Sequence, residues 1–222
     1  MPWGVTPEIS PIRPIGPMNL IPPHGGYREL KSFQSSTLVY DLTVEFCGRF
    51  VKEHRMQDQM VQAARSGRQN IAEGSQASGT SKKTELKLVN VARASQEELL
   101  LDYEDYLRQH GFAAWDKNSS EALQVRKLSY EPNRSHTTYK SYLERSETAA
   151  NVLICLIHQT NYLLDQQLRA LQKDFLEQGG FTERLYKMRT NKKYENAYFA
   201  TITIDCAVRL SGRFGSEPND YK

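Results

Sequence analysis

Proline is almost absent from this sequence after residue 23. Seven of its nine prolines (Pro2, Pro7, Pro11, Pro14, Pro17, Pro22 and Pro23) stand before that point, and only Pro132 and Pro218 follow. Proline removes a backbone donor and fixes φ, so the first stretch cannot be a regular helix or a central strand. Long apolar runs are also missing. The longest, Val152–Ile157, has six residues, against the roughly 20 that a membrane-spanning helix needs. Charge of one sign is scarce too: 29 Lys+Arg against 26 Asp+Glu leave a formal +3, which excludes both a disordered acidic tail and a histone-like polycation. Cysteine is limited to Cys47, Cys155 and Cys206, odd in number and far apart. With no basic and apolar leader in MPWGVTPEIS, the expected location is a reducing cytoplasm, with no membrane partner. The 222 residues suit one domain plus appendages.

The usual catalytic motifs are missing as well. None of the five histidines (His24, His54, His110, His136, His158) has a glutamate three residues before it, as a di-iron helical protein would require. Cys-x-x-Cys, His-Glu-x-x-His and Gly-x-Ser-x-Gly do not occur. Gly74-Ser-Gln-Ala-Ser-Gly79-Thr80-Ser81-Lys82 is close to a phosphate loop, but its last residues run Thr-Ser-Lys instead of Lys-Ser/Thr and no strand precedes it. A lone histidine on an apolar helix, as at His158, is more often structural than a ligand. No cofactor, metal or catalytic set is expected, and the chain reads as a non-enzyme.

What is present is helical periodicity. Leu38, Leu42, Phe46 and Phe50 recur at four-residue steps in a first helix over about 32–52. Met56, Met60, Ala64, Gly67, Ile71 and Gly74 make a small-residue seam in a second helix from about 57, which Gly74 is expected to end. A third helix opens after Thr80-Ser81, with Ser81 as cap, and carries Leu88, Ala92, Ser95, Leu99, Tyr103 and Tyr106 to about Gln109, where Gly111 stops it. A polar connection over 112–143, with a short helix near 121–130, leads to a last strong helix over about 144–177 with an apolar period near 3.5. The expected architecture is all-α: an up-down left-handed four-helix bundle with a helical C-terminal extension and a Pro-rich N-terminal arm. The arm is 1–28, the bundle with its extension 29–194 (including a basic helix at about 181–194), and the tail 195–222 is either a short strand or disordered, because its β-branched residues disfavour helix.

Helix two carries a second stripe of Val61, Arg65, Arg68 and Ala72, and helix three one of Val89, Arg93, Gln96, Leu100 and Leu107. This second face suits either the C-terminal helices of the same chain or another subunit, which makes Val61, Ala72, Val89, Gln96, Leu100 and Leu107 candidate oligomer contacts; the competing reading is that the connection over 112–143 covers the extra leucines. Residues 1–110 contain 13 cations and 13 carboxylates, yet Arg65, Arg68, Lys82, Lys83, Lys87 and Arg93 gather on helices two and three as candidate phosphate contacts. A second basic run over 184–193 is flanked by Tyr186 and Tyr194, which suit base stacking. The acidic residues Glu97, Glu98, Asp102, Glu104 and Asp105 are spread around helix three and read as a solvated face.

Asn70-Ile71-Ala72-Glu73-Gly74 and Ala92-Arg93-Ala94-Ser95-Gln96-Glu97-Glu98-Leu99 resemble the hallmarks of the bacterial four-helix-bundle family first named from proteins encoded in intervening sequences of large-subunit ribosomal RNA genes. IPPHGGYREL (21–30) and the segment from Ser141 to Lys187 resemble the subgroup with the four-helix-bundle suffix domain, and the resemblance spans about 21–190. By analogy with similar proteins, the accessory variability determinants of diversity-generating retroelements, it implies a homo-oligomer, a pentamer in those relatives, that binds RNA or DNA and a nucleic-acid-processing protein. The expected function is thus a non-enzymatic oligomeric nucleic-acid-binding or ribonucleoprotein accessory protein. The alternative is an oligomeric protein–protein interaction scaffold that binds no nucleic acid.

Overall fold

The computed structural model describes residues 21, 23–128, 131 and 135–211. The described residues contain helices and no strand: α1 (Lys31–Phe50), α2 (His54–Ala77), α3 (Lys82–Gln109), α4 (Ser120–Leu128), α5 (Ser146–Gln178) and α6 (Phe181–Ser211), with 3-10 helices at Tyr27–Glu29 and His136–Glu144. Four long helices form a ring of neighbours, α1 against α2 and α5, and α3 against α2 and α5. Their partners run antiparallel: Ser32 meets Gln167 and Ser35 meets Thr160 across α1 and α5, while Arg93 meets Asp165 and Asn161 meets Glu97 across α3 and α5.

The ends of α3 follow their local chemistry. Ser81 Oγ accepts from the Thr84 backbone N–H at 3.2 Å, satisfying one of the first-turn donors. At the other end Gly111 sits at φ 69°, its N–H donating to Arg108 O at 3.3 Å while Phe112 N–H reaches Leu107 O at 2.9 Å. This is the double closure that a left-handed residue permits. Helix α2 does not end at Gly74 but runs to Ala77. Gly74 is buried inside it, and a Cβ there would lie 3.4 Å from Glu85 O and from Leu88 Cβ of α3, so its role is packing. The phosphate-loop reading fails with it, since Gly74–Ala77 are helical.

Two further expectations change. The chain from 195 to 211 continues α6 as helix instead of forming a strand or a disordered stretch; 212–222 lie outside the described residues. Residues 1–20 of the Pro-rich arm also lie outside them, and its end, 27–29, is a 3-10 turn. Just before that turn, Gly25 N–H bonds Ser75 O of α2 at 3.2 Å.

The interior falls into two apolar clusters. The larger joins Leu38, Leu42, Phe46, Met60, Ala64, Leu99, Tyr103, Leu107, Leu153 and Ile157 with the connection residues Val125, Tyr139 and Leu143. The smaller consists of Ile71, Val89, Ala92, Leu164 and Leu171. Between them, in register across the four helices, lie small or polar residues: Ser35 and Ser36 of α1, Ser66 and Gly67 of α2, Ser95 and Gln96 of α3, Thr160 and Asn161 of α5. Ser35 and Thr160 hydroxyls pair at 2.8 Å and Ser66 and Ser95 at 2.9 Å, while Asn70 Nδ2 donates back to Ser66 O at 2.9 Å. Gln96 is fully buried, and neither of its amide atoms has a hydrogen-bond partner among the described residues. Leaving such a group unpaired costs about 1–3 kcal/mol.

Gln96 lies over Gly67, where a Cβ would overlap its amide nitrogen. Alanine improves helix propensity by about 1 kcal/mol over glycine, but overpacking a closed interior costs about 1–3 kcal/mol, and with no solvent for Gln96 to move into, the clash dominates. Gly67→Ala is therefore expected to destabilise the chain in urea denaturation, whereas in a Gln96→Ala background the same change stabilises it. Stabilisation by Gly67→Ala alone would contradict the close approach.

Candidate nucleic-acid interface

The six cations expected to face phosphate on helices two and three do not form one surface. Arg68 turns toward α1 and stacks over the Tyr40 ring at 4.2 Å. Lys82 pairs with Glu85 at 3.2 Å, and Arg93 binds Glu97 at 2.6 Å and Asp165 of α5 at 3.3 Å. Glu85 is almost fully buried, and its carboxyl is raised above the usual range by burial first; Lys82 opposes the shift and Asp174 adds to it. These three cations are committed within the fold. Arg65, Lys83 and Lys87 are exposed and make no ion pair among the described residues.

The oligomer contacts are corrected in the same way. Val89, Gln96, Leu100 and Leu107 are all buried inside the single chain. Val89 and Gln96 lie against Gly74 and Gly67 of α2, and Arg93 of the same stripe reaches Asp165 of α5. Val61 and Ala72 remain half-buried on α2. In the hallmark motif, Ile71 is a core residue as expected, Asn70 bonds Ser66 within α2, and Glu73 is exposed.

Helix α6 is different. It opens with Glu183 Oε2 accepting from Gly180 N–H at 2.7 Å, so the one early carboxylate is occupied at the positive end of the helix. Among the described residues no other helix packs extensively along α6, and every side chain from 191 to 197 is exposed. Over 181–197 five cations (Arg184, Lys187, Arg189, Lys192, Lys193) stand against Glu183 and Glu195, a surplus equal to the formal +3 of the whole chain. Tyr186, Arg189 and Lys193 recur at three and four residues and share a face, with Lys187 and Tyr194 on the adjoining one. The two tyrosines are 71% and 72% exposed. Exposed rings interleaved with lysine and arginine are what a single strand needs, stacking for bases and charge for phosphates.

The remaining chemistry is quiet. Burial, aided by Asp102, pushes the Cys47 thiol up to about 12. Cys155 is also raised by burial, against an opposing contribution from Arg126. Both thiols stay protonated near neutral pH, which is unsuited to a nucleophile. Among the described residues no group of three or more His, Cys, Asp and Glu side chains is placed to hold a metal ion. His158 is exposed instead of sitting in the core, on the edge of a groove between α1 and α5. Sequence reasoning missed that groove because its walls come from segments about 40 to 120 residues apart, with no local signal linking them.

Comparison with known proteins finds no match among protein-family models, curated proteins or solved structures.

One member of the acidic group on α3 departs from a solvated face. Asp102 is half-buried, and its carboxyl is raised from 3.8 to about 6, by burial first and then by Glu98 and Asp105. The folded state thus binds this proton more tightly than the unfolded chain does, and the group costs stability as pH rises from about 4 through 6. Asp102→Asn should raise the melting temperature at pH 7.5, the gain shrinking with acidification and vanishing below about pH 4. A pH-independent difference would rule out this carboxyl as its source.

Proposed function

We propose that this chain is a non-enzymatic nucleic-acid-binding accessory protein of the four-helix-bundle family with a suffix extension, built as a left-handed up-down bundle that presents α6 to single-stranded RNA or DNA. The observation that carries this reading is the exposed face of α6, where Tyr186 and Tyr194 stand exposed among the exposed Lys187, Arg189, Lys192 and Lys193. It moves the contact surface from helices two and three, where three of the six candidate cations already have protein partners. Arg65, Lys83 and Lys87 remain as secondary electrostatic contacts. The homo-oligomer implied by the family resemblance then uses faces other than the second stripe of α3, whose Val89, Gln96, Leu100 and Leu107 are buried within the chain.

The reading is tested by fluorescence anisotropy with labelled single-stranded RNA and DNA of about 20 nucleotides across a salt series. Each phosphate neutralised contributes about −0.7 to the log–log salt slope on a single strand. Reversing Lys192 and Lys193 to glutamate should weaken binding at least tenfold and flatten the slope, and Tyr186→Ala should remove roughly 1–3 kcal/mol of stacking. The Lys83→Glu/Lys87→Glu pair should have the smaller effect. Absence of binding at low salt, with a multimer by light scattering, would favour the protein-scaffold alternative.

A further inference from the structure

On the side formed by α1 and α5 a groove of about 1530 Å³ is bounded by Trp115, Lys117, Ala122 and Arg126 and by Ser135 and His136. Its outer wall is held at both ends by groups inside the fold. Asn151 of α5, 1% exposed, accepts from Trp115 N–H at 2.7 Å and donates to Ala113 O at 3.0 Å. His136, at the other end, pairs with Glu45 of α1.

The groove carries two aromatic rings and three cations. Tyr162 is 60% exposed, and its hydroxyl is held by Gln166 Nε2 at 2.7 Å. Trp115 packs against the larger apolar cluster while also lining the groove. The register set by Ser32–Gln167 and Ser35–Thr160 puts Lys31 at the Tyr162 end. Lys117 lies beside Trp115 at the Asn151 end, about 15 Å away along α5 at 1.5 Å per residue. Arg126 of α4 lines the wall, and Asp41 and Glu131 supply the negative charge. Lys31 and Lys117 are exposed and make no ion pair among the described residues. Gln159 has a buried side-chain oxygen with no hydrogen-bond partner among the described residues.

We propose that this groove binds nucleoside phosphates, with a base stacked on Trp115 or Tyr162, its N–H groups donating to Gln159 Oε1, and the phosphate held by Lys117 or Lys31. An acidic peptide would use the cations but leave the ring faces and the amide acceptor idle. An apolar ligand would strand the cations and carboxylates, which is costly. The same chemistry is met by a free nucleotide and by a short stretch of single strand. The inference is independent of α6, because it rests on a different surface.

The chain has two tryptophans, Trp3 and Trp115, so the full-length Trp3→Phe protein reports on the groove alone. Its fluorescence is followed while adding AMP, UMP or a six-nucleotide RNA. Saturable quenching by the mononucleotides identifies a free nucleotide as the ligand, and quenching by the RNA only identifies a strand. In either case Lys31→Glu/Lys117→Glu should weaken it at least tenfold at unchanged melting temperature, whereas Lys192→Glu/Lys193→Glu should leave mononucleotide quenching intact. No saturable quenching by any of the three, or quenching that survives reversal of Lys31 and Lys117, overturns the proposal while leaving the α6 reading to its own salt series.

Discussion

Where α2 crosses α3 at Gly67, the backbone of one helix meets the amide of Gln96 on the other with no room for a methyl group between them, and the register set there extends to both ends of the pair. Ser66 and Ser95 bond on one side of it, and Gly74 lies against Glu85 and Leu88 on the other. Small residues at Ala63, Ala64, Gly67 and Gly74 are what permit this distance, because larger side chains would hold the axes apart. With α2 and α3 locked, Val89 and Gln96 are spent against α2, while Leu100 and Leu107 join the larger cluster to which α5 contributes.

The same crossing lies in a polar layer that divides the interior. Above it, aromatic and branched side chains from α1, α2, α3 and α5 join those of the connection; below it only a few residues are fully buried. A polar layer offers few alternative partners, so Ser35–Thr160 and Ser66–Ser95 are satisfied in one alignment and lost if a helix slides by a turn. Its cost is the unpartnered amide of Gln96, a group that an apolar core would not contain.

Charge is distributed by the same packing. Three of the six candidate cations on α2 and α3, Lys82, Arg93 and Arg68, find carboxylates or a ring, since a partly buried cation is stabilised by such a neighbour, while Arg65, Lys83 and Lys87 stay exposed. Along α6, Tyr186, Lys187, Lys192, Lys193 and Tyr194 are exposed and keep their solvent-facing chemistry. A chain whose net charge is only +3 thereby concentrates its surplus on one projecting helix.

The helical character, the small-residue seam, the Ser81 cap and the Gly111 stop were legible because each depends on residues within a turn or two of one another. So was the basic and aromatic composition of 184–194, which is read directly from the residues. Helix from 195 to 211 was not legible, since β-branched residues favour strand only weakly and neighbouring structure overrides them. The fate of Arg68, Lys82 and Arg93, the covering of the second face of α3 and the groove between α1 and α5 were settled by the tertiary structure alone. Helical periodicity tells which residues share a face, but which face receives a neighbour depends on contacts between residues 28 to 135 positions apart, and no local pattern encodes those.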